Sequence, residues 1–176
     1  MEVKRSGVAQ EAEARVLLSE YYAEIGVVQR DTPEAVHDLL ERSDSALWIA
    51  YAGETPAGCV ALRPLDGLPL SAECKRLYVR VEYRRQGIAE ALMDALENFA
   101  RAAGLRWIYL DSMEHLRAAI ALYERRGYEH CERYNKNPQA TVFLRKALTT
   151  ADSGSGCPTQ ERGAPGVANA EADQHH

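Results

Sequence analysis

The sequence predicts an α/β domain of the α+β mixed kind, built on a mixed sheet. Three observations predict it. The apolar period switches between two and about 3.6 several times along residues 1–150. The early strands follow one another across short turns, which makes them antiparallel neighbours, and later strands alternate with helices. A strand–helix–strand passage from Leu77 to Leu110 implies a right-handed crossover between two parallel strands.

Each element has its own local reason. Ala9 to Ile25 reads as a helix, with Val16, Leu17, Glu20, Tyr21 and Glu24 separating apolar from polar sides. "DTPEAVHDLLE" begins a second helix, capped by Thr32 with Pro33 in the first turn. "ALWIAYAG" is a strand ending in a turn at Gly53. "PAGCVALRPL" is the next strand, and "GETPAG" reads as the hairpin loop between them. "SAECKRLYVRV" is a third strand, followed by a helix from Ile88 to about Gly104. Strand "RWIYLD", helix "HLRAAIALYERRG", short strand "YEHCE" and strand "ATVFLRKAL" complete the order.

Composition narrows the function classes. The hydrophobic fraction of 46% suits a chain with a real core, and the net charge of −5 disfavours a phosphate-backbone surface, so no nucleic-acid partner is expected. No apolar run approaches the ~20 residues of a membrane helix, and the start "MEVKRSGVAQEAEA" lacks a signal-peptide core. Cys59, Cys74, Cys131 and Cys157 form no C-x-x-C pair, which fits reduced thiols and a cytoplasmic location. With no H-E-x-x-H among the histidines, no metal is expected. From Ala151 onward, "ADSGSGCPTQERGAPGVANAEADQHH" is poor in large apolar residues. It cannot offset its ordering entropy, so residues 151–176 are expected to be a disordered tail.

The stretch "YRRQGIAEALMDALENFARAAG" holds the main chemical signal. It is an amphipathic helix whose start is chemically wrong. No Ser, Thr, Asp or Asn stands in the four residues before Gly87, and Arg84 and Arg85 sit at the positive end of the dipole. An anion resolves both problems: a phosphate accepts the free amides, cancels the dipole and pairs with an arginine. Gly87 lets a ligand approach the backbone, and Ala89 keeps the first turn thin. The plain alternative is a solvated loop with its arginines in water. No G-x-x-x-x-G-K-[ST] or G-x-G-x-x-G exists, so the P-loop and Rossmann phosphate sites are set aside.

Arg84-Arg85-Gln86-Gly87-Ile88-Ala89 resembles the [RQ]-x-x-G-x-[GA] pyrophosphate loop of the GCN5-related N-acetyltransferases (GNAT). "ECKRLYVRVEYRRQGIAEALM" resembles that family's central strand, loop and helix, and "AAIALYERRGY" its later A-x-x-L-Y-x-x-x-G-[FY] helix. "YNKNPQATVFLRKAL" resembles a closing segment of small bacterial members. The resemblance covers residues 1–148, within an expected acetyltransferase domain of residues 1–150. It implies a mostly antiparallel sheet of about six or seven strands, about four helices, and a splayed parallel strand pair. It also implies acetyl-coenzyme A (acetyl-CoA) as the acyl donor for a primary amine of a small molecule, amino-acid-like if the acceptor carries a carboxylate. A monomer or homodimer is expected. A silent coenzyme-A-binding sensor, or an enzyme acting on protein amines, is the alternative.

The resemblance also implies roles. The backbone of Leu77, Tyr78 and Val79 pairs with the pantetheine arm, the Val79 amide facing the thioester oxygen. Arg84, Arg85, Gln86, Gly87, Ile88 and Ala89 hold the pyrophosphate, with Ser112 and His115 as looser cofactor contacts. Tyr123 stands where the family has a tyrosine near the departing sulfur, and a phenol can protonate a thiolate. Its stripe with Leu116 and Ile120 equally suits a core residue. Glu73 is the candidate base, with an ion pair to Lys75 or Arg76 as its plain alternative. Arg63, Arg76, Tyr134 and Asn137 are candidates for the acceptor site, two arginines suiting an acceptor carboxylate.

Overall fold

Seven strands hydrogen-bond into one sheet in the order β1-β2-β3-β4-β5-β7-β6. They are seen in a computed structural model that describes residues 1–149. The strands are β1 (Glu2–Arg5), β2 (Ala46–Ala52), β3 (Thr55–Pro64), β4 (Ser71–Val79), β5 (Trp107–Ser112), β6 (Glu129–His130) and β7 (Val142–Ala147). Every pairing is antiparallel except β4 with β5. The expected tail, residues 151–176, lies outside the described residues.

Two helix layers cover the sheet. Helices α1 (Glu11–Ile25) and α2 (Pro33–Glu41) pack Ala14, Leu17, Leu18, Val36 and Leu39 on one face, against Leu47, Ile49, Cys59 and Ala61. Helices α3 (Ile88–Ala102) and α4 (Arg117–Arg125) pack Leu92, Met93, Leu96 and Leu122 on the other, against Trp48, Val60, Leu62 and Ile108. Strand β2 serves both layers, its side chains alternating from one face to the other. That two-sided burial is why "ALWIAYA" is apolar almost throughout.

Sequence expectations differ from the structure at a few boundaries. The connection between β2 and β3 is only Gly53–Glu54, tighter than the loop read in "GETPAG". A short 3₁₀ turn, Val8–Gln10, precedes α1, which starts two residues later than expected. Strand β1 was not expected: Glu2–Arg5 has charged side chains and mostly exposed positions. It forms because β2 offers a free edge, and its charges then guard the new edge. Thr32 caps α2 as expected, accepting from the Ala35 amide at 3.1 Å.

Candidate active site

The parallel pair β4–β5 separates early. Its register runs Ser71↔Trp107, Ala72↔Ile108 and Glu73↔Tyr109, and stops there, although β4 continues to Val79 and β5 to Ser112. A bulge in β4 accompanies the split. Lys75 pairs with Ala61 and Tyr78 with Cys59, so β4 spends one residue more than β3 across this interval. Arg76 lies in the bulge at φ 62, a left-handed conformation that its contacts with Asp31 support. Past the bulge, the Arg80 amide donates to Ala57 O at 2.8 Å. Alternation therefore turns the Val79 amide away from β3, toward the opening. Gly58 allows β3 to press close here, since a Cβ at that position would lie 2.5 Å from Tyr78 O.

The start of α3 faces the same opening. Gly87 is its N-cap at φ 78, with no side-chain cap, and Arg85 is also left-handed at φ 61. The first helical bond runs from the Ala91 amide to Gly87 O. Among the described residues, none accepts from the amides of Arg85 through Glu90. Arg84 is already committed: its guanidinium donates to Val79 O at 2.8 Å and to Glu24 at 2.5 Å. Arg85 is exposed and makes no ion pair among the described residues, so it is the cation left for an anion at this loop.

A cleft of about 1130 Å³ joins these features. It runs from the α3 start, along the free edge of β4, to the α1–α2 and β6–β7 connections. Every site residue expected from the sequence lines it except Gln86, Arg63 and Tyr134. Tyr123 is only 7% exposed yet lines the cleft, so it is a packed residue and a site-facing one at once. Burial above all, with the ionisable groups of Cys74, Tyr21 and Asp111 nearby, pushes its phenol well above the usual value, so it stays protonated.

Beyond the split, a polar cluster floors the cleft. Glu73 accepts from Asn135 Nδ2 at 3.1 Å, and Asp111 accepts from the same nitrogen at 2.7 Å. Asn137 Nδ2 also donates to Asp111, at 3.1 Å, and Lys75 Nζ lies 3.5 Å from both carboxylates. Asp111 and Asn135 were not singled out from the sequence, whereas Lys75 was named as an ion-pair partner for Glu73 and stands in that place. Their signal was present: Asp111 ends a strand beside the parallel split, and Asn135 sits inside "YNKNPQ". Arg63 and Arg76 do converge, but on Asp31, at 2.6 and 3.1 Å. Tyr134 packs its ring on Tyr109 and Phe143, and its buried hydroxyl has no well-formed hydrogen bond. Burial, then the charge of Glu73, raise its pKa.

The sheet is split at its one parallel pair and uncapped helix amides open onto the split, so one groove offers both a free strand edge and an anion site. Comparison with known proteins gives the family. Residues 13–128 match the acetyltransferase (GNAT) family, and the chain belongs to that family of N-acetyltransferases. It is 30% identical over 125 residues to the uncharacterised N-acetyltransferase YsnE of Bacillus subtilis, spanning 66% of this chain and 81% of that one. It is 32% identical to human N-acetyltransferase 8, but the match spans only 56% of this chain and 45% of the human protein. Two solved structures share the fold. A GNAT acetyltransferase from Staphylococcus aureus has a TM-score of 0.72 at 17% identity, covering 84% of this chain and 99% of that one. PaiA N-acetyltransferase from Thermoplasma acidophilum, in complex with coenzyme A, has a TM-score of 0.69 at 17% identity, covering 83% and 98%.

Proposed function

We propose that this chain transfers the acetyl group of acetyl-coenzyme A directly to a primary amine of a small molecule. One observation carries the reading: the amides from Arg85 to Glu90 lack protein acceptors, and they open onto the same cleft as Tyr123. Those amides, the α3 dipole and Arg85 hold the diphosphate. The free edge of β4, with Leu77, Tyr78 and Val79, pairs with the pantetheine arm as an added strand would. Ser112 lines the opposite wall.

The reaction then needs three things from the protein. Glu73, at the cleft floor, takes a proton from the acceptor ammonium. The neutral amine attacks the thioester carbon, and the Val79 amide stabilises the oxygen that becomes negative. As the carbon–sulfur bond breaks, Tyr123 protonates the departing thiolate, and the proton that the attacking nitrogen sheds on becoming an amide returns the phenol to its protonated form, the form its burial favours. Asn137 lines the far wall and is the side chain proposed to meet the acceptor there. Arg63 and Arg76 are paired with Asp31, so the reading assigns no carboxylate to the acceptor.

The test is thiol release from acetyl-coenzyme A across a panel of small primary amines. Release with at least one amine is expected. Tyr123→Phe is expected to lower kcat by about 10²-fold, within the range of a lost general acid, while calorimetry shows coenzyme A affinity held within about twofold. Tight coenzyme A binding with no release for any amine favours the sensor instead.

A further inference from the structure

The cleft end farthest from α3 has two walls. The α1–α2 connection contributes Val27 and Gln29, and the β6–β7 connection contributes Asn137 and Gln139. Gln139 joins them. Its side-chain amide donates to Gly26 O at 3.0 Å and accepts from the Val28 amide at 3.0 Å, across 113 and 111 residues of sequence. This is the donor-and-acceptor pairing that a neighbouring strand residue makes. The bridge lies at the rim, where Val28 is 78% exposed.

Neither wall has slack. On the first, the Gly26 and Val27 amides both donate to Tyr22 O, and Asp31 is gripped by Tyr22, Arg63 and Arg76. On the second, the Gln139 amide donates to Asn137 Oδ1, and the Asn137 amide donates to Asn135 Oδ1. Asn135 in turn donates to Glu73 and Asp111 on the floor. The bridge is thus pinned through its own chain to Glu73, the proposed base, and to Asp111 beside it.

The geometry points to Gln139 as a specificity-determining residue that confines transfer to amines of small molecules and turns away amines at the end of a polypeptide. A peptide acceptor must lay several residues between the two walls, each strand-like residue taking about 3.3 Å of length and the backbone about 4.8 Å of width. The Gln139 amide fills that gap and has both its hydrogen bonds satisfied there. A small amine needs only to reach the floor. This inference rests on the transferase reading above and deepens it by naming the residue that sets the acceptor class.

Two variants separate the bridge from bulk. Gln139→Leu keeps much of the volume and loses both bonds. Gln139→Glu keeps the acceptor for Val28 and loses the donor to Gly26. Thiol release from acetyl-coenzyme A is followed with the best small amine of the panel and with a pentapeptide bearing a free α-amino group. The wild type is expected to favour the small amine at least tenfold in kcat/KM. The ratio of peptide to small-amine kcat/KM is expected to rise at least tenfold in Gln139→Leu, mainly through the peptide KM, and by less in Gln139→Glu. Hydrogen exchange at the Val28 amide reports whether the bridge has opened. A wild type that uses the peptide as well as the small amine overturns the inference. So does a ratio within twofold of wild type in Gln139→Leu with the Val28 amide unprotected. Absence of release with every acceptor defeats the transferase reading and this inference together, whereas release with an unchanged ratio defeats the inference alone.

Discussion

Asp31 shows how one residue can set a wall of the cleft. Its side chain is 7% exposed and meets the Arg63 and Arg76 guanidiniums and the Tyr22 hydroxyl. Burial alone would raise its pKa, but the two arginines and Tyr22 outweigh it and hold the carboxyl down at about 2. The sign follows: a depressed carboxyl contributes stability above its unfolded value of about 3.9, and that contribution drains away as pH falls through about 2. Its size is about 2 to 3 kcal/mol, at 1.36 kcal/mol per pKa unit. Asp31→Asn is expected to cost at least as much at neutral pH, about 3 kcal/mol, because it leaves two guanidiniums facing each other with no counter-charge. Urea unfolding at pH 7 and pH 3 checks this: the deficit of the variant should shrink at the lower pH. The sequence hid this contact. Asp31 reads as part of a helix start beside Thr32, and its partners lie 32 and 45 residues away. Arg63 and Arg76 read as ligands for an acceptor because a convergent pair of arginines demands an anion, and the sequence does not say which. Tyr123 was legible because its local motif and its stripe named one position for two purposes, packing and acid, and the structure places it in both core and cleft.

Among the elements, β4 and α3 were the most legible, because what matters in them is local. A strand, a loop without caps and an amphipathic helix are adjacent in sequence, so the missing cap and the misplaced arginines can be read without knowing the fold. Elements made by pairing alone were not: β1 has no apolar pattern of its own and exists only against β2. The floor of the cleft was partly hidden for the same reason, since Asn135 reaches Glu73 across 62 residues. The start of α3 yields a direct prediction. Gly87 sits at φ 78 with open space where a Cβ would stand. A side chain there costs about 1 kcal/mol of backbone strain but meets no steric block, so the helix should survive substitution. Gly87→Glu sets a carboxylate beside the free amides, where it takes the place of an anionic ligand and repels it. Coenzyme A affinity is expected to fall at least 100-fold by isothermal titration, with circular dichroism unchanged. An unaltered affinity in the folded variant contradicts the phosphate role of these amides.

For the molecule as a whole, the question is whether the diphosphate end or the thiol end of the ligand does most of the binding. The chain carries a net charge of −5, which would repel an anionic cofactor if the whole field were felt. At physiological salt the screening length is about 8 Å, so distant surface carboxylates matter little. What decides is the local field of the six unpaired amides from Arg85 to Glu90, a helix dipole and Arg85, all at one end of the cleft. Pantetheine, which has the arm but no diphosphate, would on this proposal engage the β4 edge alone. A ligand at 100 times its Kd stabilises the folded state by about 2.7 kcal/mol, which for a chain of this size raises Tm by about 5 to 10 °C. Coenzyme A is expected to give a rise of that order, and pantetheine at the same concentration less than about 2 °C. Raising salt to 1 M shortens the screening length to about 3 Å, so the contribution of exposed Arg85 weakens and the gap between the two ligands narrows. Equal shifts from the two ligands would mean that the arm alone carries the affinity. The uncapped start of α3 would then be no more than an unprotected helix end.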